Sequence, residues 1–423
     1  CIELETALTN LRSSLLSSVL EFDGSFNILR FQSALALQCF SNEYVYSQNT
    51  TETQALKKLE YKVKRDLLKG QHPNPHLVLC LASYKPLNEY EWCNLLSVSS
   101  DIEEVFTRQI TESNQEACIK PDIPILEKIT DKISSKVRDQ YEENPYPRWL
   151  NLGLTLKSST ISKVVDELKL NLSDHMIKDV QAPDILIAGC GTGQQSISTA
   201  ARFQNSKVLA VDLSLSSMAY ARRKTQELGV RNIEYMQADI LDIGMLDKQF
   251  DIVESTGVLH HMDDPMAGWR VLKDCLRLGG LMKIALYSEL ARQHIVEIRE
   301  EIAQVDHGTD VLKMKSLRSQ IMKSNKDHHK QILESPDFYS MSELRDLLFH
   351  VQEHRFTIPK IRDCLDDLGL KFCGFESERI VQSVRFNNIE PHDAYDLDKW
   401  NCYEQANPNT FAGMYQFWCQ KVV

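Results

Sequence analysis

From residue 184 to residue 287, short apolar runs take turns with helix-spaced segments, and this alternation restricts the possible folds more than any other feature of the chain. Strands are expected at 184–188, 208–211, 233–237, 250–254 and 281–287, with helices at 194–203, 214–228 and 265–276 between them. A strand that returns through a helix lies parallel to its predecessor, and a parallel sheet is covered on both faces. The fold class is therefore α/β.

The flanking regions read differently. Residues 1–120 are expected to form an N-terminal helical domain, with apolar residues at helical spacing over 31–40 and 53–63 and a break at His72-Pro-Asn-Pro-His76. Residues 121–160 form a connector, with an amphipathic helix over 123–141 and then Asn144-Pro-Tyr-Pro-Arg-Trp149. Residues 161–288 hold the first half of the α/β core, and 289–356 interrupt it as a charged helical insertion. The core resumes over 357–423, where Thr357 caps a helix and strand-like segments follow at 371–376 and 411–419.

At 423 residues with 43% hydrophobic and 25% charged content, the chain is an ordinary globular one of more than one domain. Its net charge of −11 argues against a general nucleic-acid binder. Eleven cysteines occur without a C-x-x-C pair, so free thiols in a reducing compartment, the cytoplasm, are expected. No apolar run approaches the length of a membrane span, and no basic-then-apolar leader is seen. Numbering starts at Cys1 rather than at a methionine, which suggests a trimmed or partial chain.

The first strand runs into Gly189-Cys-Gly-Thr-Gly193 and then a helix. In an open α/β sheet such a turn is where a ligand approaches the backbone, although a G-x-G turn can also be free of any ligand. The second strand ends in Asp212, where a carboxylate can accept both hydroxyls of a ribose. A dinucleotide fingerprint would need glycine at 194, and the chain has Gln194. The third strand ends at Gln237-Ala-Asp239-Ile240, where an acceptor can meet an adenine amino group. A nucleoside without phosphates is the ligand these residues suit.

Asp184, Gly189-Cys-Gly-Thr-Gly193, Asp212, Ala238-Asp-Ile240, the run from Phe250 through Glu254 to His260-His261, and Leu276-Arg-Leu-Gly-Gly-Leu281 occur in this order. The series resembles the motifs of class I S-adenosylmethionine-dependent methyltransferases over residues 180–290. With Gln140-Tyr-Glu-Glu-Asn-Pro-Tyr-Pro-Arg-Trp149 and Phe411-Ala-Gly-Met-Tyr-Gln-Phe-Trp418, the longer pattern is similar to bacterial methyltransferases fused behind tetratricopeptide repeats. The resemblance implies a Rossmann-like sheet of seven strands, the last antiparallel, and S-adenosylmethionine as cofactor. It implies that Gly189, Cys190, Gly191 and Gly193 pass the methionine part, that Asp212 with Leu213 holds the ribose, and that Asp239 with the Ile240 amide holds the adenine. Glu254 is counted with these cofactor-binding residues.

His260 and His261 are the candidates for a base or an acceptor-orienting group, with loop positioning as the alternative. Tyr146 and Arg148 either fold over the cofactor or belong to a rigid linker. His350-Val-Gln-Glu-His354 has the spacing of an inverted zinc-protease motif, and His328-His329 lies in a lysine-rich stretch with Lys313, Lys315, Arg318, Lys323, Lys326 and Lys330. Both are read as bland: a chance match, and a solvated helix face. The expected site thus contains no metal. The expected acceptor is a small molecule, the alternatives being a protein or peptide side chain or a non-catalytic S-adenosylmethionine-binding interaction module; neither nucleic acid nor membrane is expected as partner, and the sequence does not speak to oligomeric state.

Overall fold

The computed structural model describes residues 2–19, 28–155, 157–305, 310–376 and 391–422. These divide into two compact units, one joining the residues up to Cys118 with Glu297–Phe349, the other made of Ile119–Val296 and His350–Val423.

The second unit carries the sheet. Its strands are β1 (Asp184–Ala188), β2 (Lys207–Asp212), β3 (Ile233–Gln237), β4 (Phe250–Thr256), β5 (Leu276–Leu286), β6 (Leu370–Phe375) and β7 (Tyr415–Lys421). They lie in the order β3-β2-β1-β4-β5-β7-β6, with β7 antiparallel to both neighbours. This is the seven-stranded arrangement that the resemblance implies. Side chains alternate across β1: Ile185 and Ile187 enter one apolar cluster, Leu186 and Ala188 the other. Period-two geometry and two buried faces explain why β1 shows no polar alternation in the sequence.

Helix ends follow local chemistry. Asp264 caps Pro265–Asp274 by accepting from the Met266 and Ala267 amides. Thr357 caps Ile358–Leu368 as expected, with Pro359 in the first turn and Gly369 left-handed at the end.

The connector departs from expectation. Its helix is Lys132–Glu143, not 123–141, and starts where Asp131 accepts from the Ile133 and Ser134 amides. Ahead of it the chain runs beside β3, with Gln237 N donating to Pro124 O and Leu126 N donating to Gln237 O. Pro121 and Pro124 cannot supply helical amide donors, and this favours the extended pairing. The C-terminal strand-like stretch is also shorter than expected. Residues Pro408–Phe411 form a single tight turn, and Phe411 packs against Phe375, Trp400 and Tyr415 before β7 begins.

The insertion closes on itself at its base, where Phe356 N donates to Tyr287 O and Glu289 N to Phe356 O. Its helices Val311–Lys323 and Met341–Phe349 belong with the N-terminal helices in the first unit. There Arg318 grips Glu5 through two 2.5 Å bonds, both side chains buried, and Glu43 accepts from Ser342 N. Arg318 therefore leaves the expected solvated lysine-rich face. A carboxylate that matches its fork compensates for its burial.

Candidate active site

The turn after β1 is held in left-handed backbone conformations at its glycines, with Gly193 at φ +88° as the residue before the helix Gln194–Arg202. A Cβ on Gly193 would stand 2.6 Å from the Ala221 side chain, so close helix packing also requires this glycine. Opposite Gly191, a Cβ would reach 3.0 Å from Tyr146 O. The segment ahead of the core thus lies against the loop.

That segment is fastened at several points. Thr192 Oγ1 donates to Pro147 O, Trp149 Nε1 donates 3.1 Å to Thr192 O, and Tyr220 OH donates to Trp149 O. Lys224 Nζ sits 5.1 Å over the Trp149 ring and donates to Leu150 O. Glu142, which the sequence reading passed over, takes the amides of Leu215 (2.7 Å) and Ser216 (3.3 Å) at the start of the helix Leu215–Glu227. An anion at a helix N-terminus is favourable. Burial raises this carboxyl, but bonds from Lys120 and Ser216 outweigh it and hold it below the ordinary range. The only signal for this fastening in the sequence was the proline-aromatic run itself. Arg148 is half-buried beside Trp149.

Asp212 closes the loop from β2, accepting from Gly191 N at 2.7 Å and from Ser214 N at 2.9 Å. Burial pushes its carboxyl up, and these amides oppose the rise. Leu213 O accepts from Gln237 Nε2, and Ala238 N donates to Asp212 O. Asp239 and Ile240, both buried, therefore follow directly beside Asp212, and Asp239 accepts from Leu241 N. Two carboxylates at adjacent strand ends repel a pyrophosphate and suit a nucleoside. Cys190 is buried, its amide bonded to Val211 O, and burial raises its thiol pKa well above the ordinary value.

Glu254 is placed differently from its neighbours in the expected set. Its carboxylate accepts from Gln195 Nε2 at 2.5 Å and from Thr199 Oγ1 at 2.9 Å, both on the helix Gln194–Arg202. Two residues short of the strand end, the side chain faces that helix and ties it to β4. Burial raises its pKa, and Lys283 opposes the rise. These two bonds make the Glu254 carboxylate a tie between β4 and the helix.

His260 and His261 follow β4 in a short turn, Leu259–His261, and both are buried. His260 Nδ1 accepts from Tyr287 N at 3.3 Å, and its ring stacks on Tyr287 at 3.8 Å. An imidazole nitrogen that accepts an amide proton carries a lone pair, so neutral His260 bears its proton on Nε2. Burial, then the charge of His261, pushes its pKa well below 6.5. The Nδ1 lone pair of His260 is thus taken up by the Tyr287 amide, and the ring is held neutral. His261 has the opposite tautomer. Its Nδ1 donates to Gln352 O at 2.7 Å, which makes Nε2 the basic nitrogen.

The residues that impose this lie on the return from the insertion. His354 N donates to His260 O, and the His350 ring stacks on His261 at 3.6 Å. Tyr141 stands 6.0 Å from His350 and 6.3 Å from Tyr146, so a run of rings leads from the loop cover to the histidine pair. Residues 350–354 lie outside any helix, with Glu353 paired to Arg292. The zinc-protease pattern therefore has no shared helix face.

A family model described as a methyltransferase domain matches residues 185–280. An uncharacterized protein of Synechococcus sp. is 30% identical over 236 residues, 52% of this chain and 56% of that protein. A malonyl-[acyl-carrier protein] O-methyltransferase of Enterobacter lignolyticus is 30% identical over 193 residues, 44% of this chain and 73% of that enzyme. The chain belongs to the class I S-adenosylmethionine-dependent methyltransferases. Among solved structures, PKMT2 from Rickettsia typhi in complex with AdoHcy is similar with a TM-score of 0.46 and 16% identity, covering 64% of this methyltransferase and 54% of that chain. The methyltransferase spans about half the length of the first curated relatives it matches. Among its described residues no helix is long and apolar enough to cross a membrane, and the ten described cysteines are free.

Proposed function

We propose that the chain transfers the methyl group of S-adenosylmethionine to a small-molecule acceptor by in-line displacement, with His261 receiving the acceptor's proton. The observation that carries this reading is the run of rings from Tyr146 on the glycine loop, through Tyr141 and His350, to His261. When bound, S-adenosylmethionine supplies an electrophilic methyl group on a sulfonium, whose departure needs no proton. Gly189, Cys190, Gly191 and Gly193 would line the methionine part, Asp212 and Leu213 the ribose, and Asp239 and Ile240 the adenine. Tyr146 would offer an aromatic face to the sulfonium, with Arg148 beside it. His261 Nε2 is the nitrogen that can hold a proton, while His260 fixes the turn.

Two points support a small acceptor. Both histidines are almost fully covered, and residues 350–356 close over them. A side chain on a folded protein would have to displace that segment. The free thiols suit a cytoplasmic enzyme. The N-terminal helices would stand where the repeats stand in the fused methyltransferases that the sequence resembles.

The test is a titration with S-adenosylmethionine followed by radiolabelled methyl transfer to cell extract separated by size. Label in the small-molecule fraction is expected. Label in the macromolecular fraction would replace the acceptor with a protein or peptide, and binding without transfer would leave an interaction module.

A further inference from the structure

The first unit holds a side-chain cluster that the methyltransferase reading does not use. The helix Gln293–Val305 carries Glu297 and Glu301 one turn apart on one face. The helix Asp327–Ile332 presents His328 and His329 to them. Glu301 Oε1 lies 2.8 Å from His328 Nε2, and Oε2 lies 3.0 Å from His329 Nε2. On its far side, His328 Nδ1 lies 2.8 Å from Glu297 Oε2. The expected solvated face is therefore an inward-turned group in which His329 is only 6% exposed.

We propose that Glu301, His328 and His329 form a binding site for one divalent transition-metal cation, with Glu297 orienting His328. Their ligand atoms lie within 4.8 Å of one another, so modest side-chain shifts bring them around one ion. Two imidazoles and a carboxylate suit zinc, cobalt or nickel, whereas magnesium and calcium prefer all-oxygen sites. Glu297 decides the tautomer. By accepting from His328 Nδ1, it leaves Nε2 as the ligating nitrogen, the carboxylate–histidine–metal arrangement. His329 Nδ1 is buried and has no hydrogen-bond partner among the described residues, so Nε2 toward Glu301 is that ring's only engaged nitrogen.

Lys326 supplies a competitor. Its ammonium lies 2.7 Å from Glu301 Oε1, on a side chain that is more than half exposed. A flexible ammonium in water is held weakly, so a divalent ion can displace it. Binding would release the Nε2 proton of His328 to solvent, move that of His329 to its Nδ1, and join two helices across an intervening stretch of chain.

The test is cobalt(II) titration of the full chain, followed by visible and near-ultraviolet absorption and by equilibrium dialysis. One equivalent is expected, with ligand-field bands and no thiolate charge-transfer band. Glu297→Gln should weaken binding by about tenfold or more. Lys326→Ala should tighten it about threefold, by removing a competing cation. His328→Ala with His329→Ala should abolish it. Absence of saturable binding, a thiolate band, or binding that survives the double substitution would overturn the proposal. Should the double variant melt early, the two single variants decide, since unchanged cobalt affinity in both would equally overturn it.

Discussion

The chain contains two His-His dipeptides of almost the same internal geometry, with rings 4.3 Å apart at 74° in His260-His261 and 4.5 Å apart at 80° in His328-His329. Their surroundings differ. The hydrogen bonds described for the first pair run to backbone atoms, with aromatic rings stacked beside them, whereas those of the second run to two carboxylates, one of which also pairs with a lysine. Backbone partners assign one proton to each ring and give the two rings of the first pair opposite tautomers. Carboxylate partners point both rings of the second pair at one spot, as ligands would be. The dipeptide itself says nothing; the chemistry lies in what faces it.

The strongest way to break the comparison is His261→Ala. Loss of the base should lower kcat by about a hundredfold and leave cofactor affinity unchanged; turnover within twofold of the parent would remove His261 from proton transfer. Next is His260→Ala, which strips the buried Tyr287 amide of its acceptor and should cost about 1–3 kcal/mol of stability in urea unfolding. Its pH dependence follows from the lowered pKa. Folded His260 stays neutral, and the unfolded chain takes up a proton near pH 6.5. The stability is thus present above that value and lost as pH falls below it, by about 1.4 kcal/mol per unit. The variant should lose this slope between pH 6.5 and 5; an unchanged slope would mean that another group titrates.

A smaller effect is expected at the loop end of the ring chain. Tyr146→Ala with Arg148→Ala should raise the dissociation constant for S-adenosylmethionine about tenfold in calorimetry, the loss of one aromatic–cation contact. A linker would leave it unaltered. The smallest effect belongs to the second pair. In the metal-free chain, burial raises the Glu301 carboxyl, but bonds from Lys326 and His328 prevail and lower it from 4.5 to about 2. Its contribution is complete above pH 4.5 and is lost as pH falls toward 2. Glu301→Gln should flatten urea midpoints in that window alone; a change near pH 6 would erase the contrast between the pairs.

What could be read in advance follows the range of the interactions. Strands β1 to β5 were legible because each is a short apolar run between a helix end and a turn, as Asp184–Ala188 shows before its glycines. The placement of Asp212 and Asp239 at adjacent strand ends was legible because the strand pattern fixes where each strand stops. The helix over 123–141 was misplaced because spacing alone ignores that Pro124 O can pair with β3. The tie that Glu254 makes was not legible since its partners, Gln195 and Thr199, come from another element. The tautomers of His260 and His261 depend on Tyr287 and on Gln352, 91 residues from His261. Arg318 and Glu5, 313 residues apart, lie beyond any local pattern.

The fastening of residues 140–149 bears on where this enzyme can be cut. The matched family model begins at residue 185, on the first turn-bearing strand. Yet the Thr192 hydroxyl, the free face of Gly191 and the opening amides of the helix Leu215–Glu227 are all completed from the forty-odd residues before it. A fragment started at residue 185 would keep the glycine loop, Asp212 and Asp239 and lose the contacts that brace them from upstream. A piece that keeps these contacts must start upstream of Glu142, about forty residues before the stretch that the family model matches.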